Sequence, residues 1–125
     1  MNLTEKLALD CAVKISKPFI DRFFFPIESE KFIIFDTRCR YPFGTYDFYE
    51  DVLNIISKYL KQNKIQVFQF ASDNSYKIAG DKCFIKLNKK QEAYLISKSE
   101  LLIANENYSL HTASVLNTKS IGLYS

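Results

Sequence analysis

Two short runs in this chain are apolar at every position. Phe32-Ile33-Ile34-Phe35 and Leu101-Leu102-Ile103-Ala104 show neither the period of two of a half-solvated strand nor the 3.6-residue period of a surface helix. Runs this short, each closed by a polar residue, suit strands covered on both faces. That is the environment of a parallel sheet, where helical crossovers shield each side.

The rest of the sequence supplies crossovers at the right places. Residues 4–15 predict a helix capped by Thr4, with Leu7, Cys11 and Ile15 on one face, and Lys17-Pro18 ends it. The stretch "FIDRFFFPIESE" is aromatic and irregular, and Pro26 argues against a central strand, so it reads as a packed connector. A strand is expected over 31–37 and an amphipathic helix over 45–64. That helix would be capped by Thr45 or Asp47, carry Phe48, Val52, Ile55, Ile56 and Tyr59 on one side, and close at Gln62-Asn63.

A second strand is expected over 65–72, a loop over 73–82 and a short strand over 83–87. Asn88 with Gln91 forms a capping-box pattern opening a helix through Ser99. A strand over 101–105, a short helix over 107–116 stopped by Asn117, and a last strand from Ser120 complete the series. Strands alternating with helices imply right-handed crossovers and helices on both faces. The predicted fold is a Rossmann-like three-layer sandwich around a mainly parallel sheet of about five strands. One domain spans residues 1–125, with a helical and aromatic lead-in over 1–30 and a β/α core over 31–125.

Composition narrows the function classes. The chain is 47% hydrophobic and 15% aromatic, enough for a packed core, and its net charge of +3 is mild. The lysines are scattered apart from Lys86, Lys89 and Lys90, which does not make the dense basic stripe of a nucleic-acid binder. No segment reaches the ~20 apolar residues that span a bilayer. Glu5 and Asp10 interrupt any signal-peptide core, so a cytoplasmic location is expected. Three cysteines without CxxC spacing and a single histidine make a zinc site improbable. Three glycines supply neither a Walker loop nor GxGxxG. Neither a catalytic nucleophile, a metal nor a cofactor is suggested.

Parallel sheets bind ligands outside the carboxyl ends of their strands. This selects the loops at 38–44, 71–76 and 105–111. Arg38 and Arg40 suit a phosphate or diphosphate, or else are surface arginines of a solvated turn. Ser72, Asn74 and Ser75 could approach a ligand or simply form a polar turn. In "NENYSLHTA", Asn105 or Asn107 would cap a helix whose first amides form an anion site. Glu106 would accept from a sugar hydroxyl and His111 would add a donor. The plain alternative is a helix cap beside a half-buried histidine.

Several of these stretches together resemble one family. "TRCRYPFGTYDFYEDVLNIISKYL", "IQVFQFAS", "LLIANENYSLHTA" and "IGLYS" are similar, in order and spacing, to the C-terminal nucleotide-sugar-binding half of the family 9 glycosyltransferases, the heptosyltransferase-like enzymes of bacterial surface polysaccharide synthesis. The family pattern around the fourth strand is L-hydrophobic-x-N-D-S/T-G-x-x-H-x-A. This chain has Glu106 for the Asp, Asn107 for the Ser/Thr and Tyr108 for the Gly, and it keeps Asn105, His111 and Ala113.

The resemblance implies a GT-B donor domain without a resident cofactor. Arg38 or Arg40 would lie near the donor diphosphate, and Glu106, Asn107 and His111 would line the diphosphate and sugar. Ser72 would stand near the family's glycine position after the second strand. Hexosyl or heptosyl transfer in lipopolysaccharide synthesis is the implied activity. A separate acceptor-binding domain or chain would supply the other half, met through Phe23, Phe24 and Phe25. The alternative from the same residues is a non-catalytic α/β interaction domain with a decayed donor site, since Tyr108 crowds the backbone where glycine allows a phosphate to approach. A flavodoxin-like module would show an acidic cluster or a flavin loop, and neither is present.

Overall fold

Five parallel strands form one sheet in the order β3-β2-β1-β4-β5. The structure, a computed structural model, describes residues 3, 20, 22, 24–26, 31–38, 46, 48–72 and 77–123. The predicted helix over 4–15 lies outside the described residues. The strands are β1 (Phe32–Asp36), β2 (Gln66–Phe70), β3 (Lys82–Phe84), β4 (Leu101–Asn105) and β5 (Ser120–Leu123). The helices are α1 (Tyr49–Gln62), α2 (Lys89–Lys98) and α3 (Tyr108–Val115). The Rossmann-like α/β sandwich expected from the sequence is the fold observed.

Handedness explains the layers. The chain steps from β1 to β2 in one direction through α1, then returns across β1 to β4 through α2. A right-handed crossover run in the reverse direction puts its helix on the opposite face. Accordingly α1 covers one face, and α2 and α3 cover the other. Ile33, Phe35, Val67 and Ile103 pack with Tyr49, Leu53 and Leu60 of α1. Phe32, Ile34, Phe68, Phe70 and Leu102 pack with Leu95, Ile96 and Ala113 of α2 and α3. The fully apolar β1 run is thus buried on both sides at every position.

Local signals set the helix ends. In α2, Asn88 Oδ1 accepts from Gln91 N at 2.8 Å and Gln91 Oε1 accepts from Asn88 N at 3.1 Å, the reciprocal capping box. In α3, Asn107 Oδ1 accepts from Ser109 N at 2.9 Å, and Asn117 ends the turn with φ of 57°. Helix α1 starts at Tyr49, with Phe48 at its N-cap and no side-chain cap bond. Thr45 and Asp47, the expected caps, lie outside the described residues. Glu50 and Asp51 in its first turn favour the positive helix end.

The connection from β2 to β3 is brief. Asp81 clips it back onto β2, accepting from Val67 N at 2.7 Å through Oδ2 and donating its N–H to Val67 O at 2.8 Å. Gly80 permits that approach, since a Cβ there would lie 3.1 Å from both Val67 Cγ1 and Val67 O.

The buried face of α1 differs from expectation. Tyr49, Leu53 and Leu60 turn inward, with Val52 and Ile56 half-buried. Phe48, Ile55 and Tyr59 are 58%, 80% and 63% exposed. The apolar arc of α1 is wider than the sheet can cover, and the helix rests on its Tyr49–Leu53–Leu60 edge. Among the aromatic lead-in residues, Phe25 is half-buried against Phe84, with ring centroids 5.6 Å apart. Phe24 stays 75% exposed, edge-on to Tyr94, and Phe23 lies outside the described residues. Of the three phenylalanines read as a partner surface, Phe25 therefore turns to the core. No described helix is long and apolar enough to cross a membrane.

Phe68 is fully buried, stacked on Phe32 at 4.5 Å and edge-on to Phe84 at 5.5 Å. Phe68→Ala should cost about 3–5 kcal/mol of stability in urea unfolding. Asn88→Ala should cost about 1 kcal/mol, because it removes a cap and leaves the core intact. Equal losses would contradict a fold held chiefly by the double-sided sheet core.

Candidate functional site

The strand order reverses between β1 and β4, which places the loops after these two strands side by side at the carboxyl edge. The alternation along β1 decides which side chains meet there. Phe32 and Ile34 face α2 and α3, so Asp36 faces them too, and it is fully buried. A buried carboxylate needs partners.

Arg38 is the chief partner. Its Nε donates to Asp36 Oδ1 at 2.9 Å and its Nη2 to Asp36 Oδ2 at 2.7 Å, a two-pronged pairing. The Arg38 backbone N–H adds a bond to Asp36 Oδ1 at 3.1 Å. Ser109 Oγ donates to Asp36 Oδ2 at 2.5 Å and accepts from Arg38 Nη2 at 3.3 Å. The remaining arm, Nη1, donates to Glu92 Oε1 at 2.5 Å, and the guanidinium carbon lies 5.5 Å from the centre of the Phe70 ring. Burial would push the Arg38 pKa down. Hydrogen bonds and charge from Asp36, then Glu92, outweigh that and hold it above its ordinary value. Arg38 therefore stays cationic wherever the protein is folded.

The loops are tied together around this cluster. Asn107 Nδ2 donates to Arg38 O at 3.0 Å while its Oδ1 caps α3, so one side chain joins the β1 loop to the start of α3. On the α1 face, Asn105 Nδ2 donates to Thr37 O at 3.2 Å, and Gln69 Nε2 donates to Thr37 Oγ1 at 2.7 Å. Gln69 Oε1 accepts from Ile78 N at 3.0 Å and anchors the next connection. Asn105 Oδ1 is buried without a hydrogen-bond partner. An acceptor left so costs about 1–3 kcal/mol until a donor reaches it.

The residues singled out from the sequence divide into four groups. Arg38 and Asn107 are in direct contact, but Arg38's fork is turned onto Asp36 and Glu92 instead of standing open for a phosphate. Glu106 and His111 are exposed, Glu106 just ahead of α3 and His111 within it, and among the described residues the His111 side chain has no hydrogen-bond partner. It is not the half-buried histidine of the plain alternative. Ser72 is exposed just past β2, on the other side of β1 from β4. Arg40, Asn74 and Ser75 lie outside the described residues.

Four participants escaped the sequence reading. Asp36 was hidden because it looks ordinary at the end of an apolar run, and Ser109 because it looks like any serine in the first turn of a helix. Glu92 follows the capping box and reads as a helix-dipole acid, yet it is buried. Lys89 stands 3.7 Å from Glu92 Oε2 and 4.7 Å from the Tyr108 ring centre, which puts one cation at the mouth. Tyr108 is 47% exposed there. Chemically, the edge offers the amides opening α3, the exposed His111 and Glu106, and Lys89.

Replacing Asp36 should expose how much the cluster holds. Asp36→Asn leaves a part-buried guanidinium short of a counter-charge and should cost about 3 kcal/mol. Glu92→Gln keeps the Asp36 fork and should cost about 1–2 kcal/mol. Urea unfolding of both variants checks the order. Comparisons with protein-family models, with curated proteins and with solved structures give no match for this chain.

Proposed function

We propose that this chain is a glycosyltransferase-related domain that binds a nucleotide-sugar donor at the carboxyl edge of its sheet. The observation that carries the reading is the reversal of strand order between β1 and β4, with the start of α3 opening onto that point. In open α/β sheets such a reversal is where ligands bind. The resemblance to family 9 glycosyltransferases spans the same segments, "LLIANENYSLHTA" above all.

Under this reading the donor diphosphate lies over the first amides of α3, and His111 and Lys89 supply charge and hydrogen bonds. Glu106 accepts from a hydroxyl of the ribose or the transferred sugar. Arg38 shapes the loop from within the Asp36–Glu92 cluster, and Arg40 remains the arginine for the diphosphate itself. Catalysis would consist of stabilising the departing nucleoside diphosphate, with an acceptor presented by another domain or chain. Lipopolysaccharide or other surface polysaccharide synthesis is the matching context.

A second reading is a non-catalytic interaction domain with a decayed donor site. Two observations favour it: the neutralisation of Arg38 by Asp36 and Glu92, and the Tyr108 ring where the family pattern has glycine.

Thermal melts with UDP, ADP, GDP and CDP and their sugars separate the two. A nucleotide at ~100 times its dissociation constant should add about 2.7 kcal/mol, seen as a rise of several degrees in Tm. His111→Ala should abolish the rise, and Glu106→Ala should remove the extra stabilisation that the sugar gives over the bare diphosphate. No rise with any nucleotide at about millimolar concentration, where even weak sites fill, rejects donor binding and leaves the interaction domain.

A further inference from the structure

We infer that the outer flank of α1 is a self-association surface, on which two copies of this chain pair through antiparallel α1 helices about a two-fold axis. The first ground is an apolar stripe that the fold leaves uncovered. Phe48, Val52, Ile55 and Tyr59 recur at intervals of four, three and four residues, the spacing of a helix–helix seam. Val52 is half-buried, whereas Phe48, Ile55 and Tyr59 are 58%, 80% and 63% exposed. The stripe lies roughly a quarter-turn around the helix from the Tyr49–Leu53–Leu60 edge that meets the sheet. On that face of the sheet α1 is the sole helix among the described residues, and no other described helix shields the flank.

The pattern also names the partner. Read in reverse, the intervals are again four, three and four, with an aromatic at each end and a branched aliphatic at each inner position. An antiparallel copy therefore sets Phe48 against Tyr59 and Val52 against Ile55, each contact occurring twice, as an isologous interface requires. Phe48 is held for this by the Tyr46 ring, 5.6 Å away and edge-on.

The charges fit the same orientation. Asp51 and Lys58 are both exposed and border the same edge of the stripe, seven residues apart. In an antiparallel two-fold pair the matching edges of the two helices adjoin, so each Asp51 lies beside the partner copy's Lys58. In a parallel two-fold pair the matching edges lie on opposite sides of the seam, so Asp51 and Lys58 would not meet across it. Antiparallel alignment also opposes the two helix dipoles. One helix pair offers less area than the ~800 Å² per partner of standard interfaces, so the dimer should be reversible, with Kd about micromolar or weaker.

Sedimentation velocity on the full chain, over about 5–500 µM to bracket such a Kd, tests this. The expected result is a monomer–dimer equilibrium. Ile55→Lys should weaken it by more than about tenfold, because it buries two unpaired charges at the seam. That variant should melt like the parent, since Ile55 is mostly exposed. Asp51→Lys should weaken the dimer about three- to tenfold, from two lost pairs, and adding Lys58→Asp to the same chain should restore it. A monomer at every concentration overturns the inference. So does a dimer indifferent to Ile55→Lys, or one that the double exchange fails to restore. A clear drop in Tm for monomeric Ile55→Lys also overturns it, because the chain's own residues would then cover the flank.

Discussion

Everything in this fold hangs on β1. It pairs in parallel with β2 on one side and β4 on the other, and it is buried along its whole length. A strand in that position can expose nothing, so both its faces must be apolar and both must be roofed by helices. This explains why Phe32 to Phe35 are all large and apolar. It also explains why α1 must lie on one side and α2 and α3 on the other. The same centrality makes the end of β1 the point where the chain's two directions of travel diverge. Any polar group set there is buried among three elements at once.

Asp36 is that group, and its burial accounts for the chemistry of the edge. A carboxylate fully removed from water must be met by donors, and Arg38 and Ser109 meet it. Arg38 in turn exceeds what one carboxylate can satisfy and reaches Glu92 on α2. The cluster thereby joins β1, α2 and α3, the elements flanking the strand reversal. Its electrostatic effect cuts against a simple phosphate site, because Arg38 already has two carboxylates. Among the described residues, what remains open to an anion there is the start of α3 and Lys89, with the exposed His111 one turn into the helix. The donor-binding and interaction-domain readings differ on whether these groups suffice.

Helix α1 shows a different consequence of the same architecture. Its apolar arc runs from Phe48 around to Leu60, too broad for one helix resting on one sheet. Part of the arc serves the core, and the remainder faces outward with a reversible pattern of residues and charges. The core requirement and the outward stripe are offset around the helix, so one can be altered while the other is kept. A helix with this division can support the fold and an association surface together.

Much of the fold was written in the sequence. The doubly apolar runs, the Asn88–Gln91 capping box, the Asn107 cap and the alternation of elements are local patterns, and local physics suffices to interpret them. The candidate edge was also legible as a place, because the loops after strands were identifiable. Its wiring was not. Arg38 finds Glu92 and Ser109 at separations of 54 and 71 residues, and no spacing along the chain signals such partners. Likewise the periodicity of α1 showed a broad apolar arc but not which edge would meet the sheet, since Ile55 and Leu53 look alike until packing chooses. Local patterning set which segments become strands and helices, where helices α2 and α3 start, and that β1 and β4 must be covered on both faces. The tertiary structure alone decided which charges neutralise one another and which apolar residues stay outside, because burial and pairing belong to neighbours in space, and those neighbours exist only once the strands have assembled.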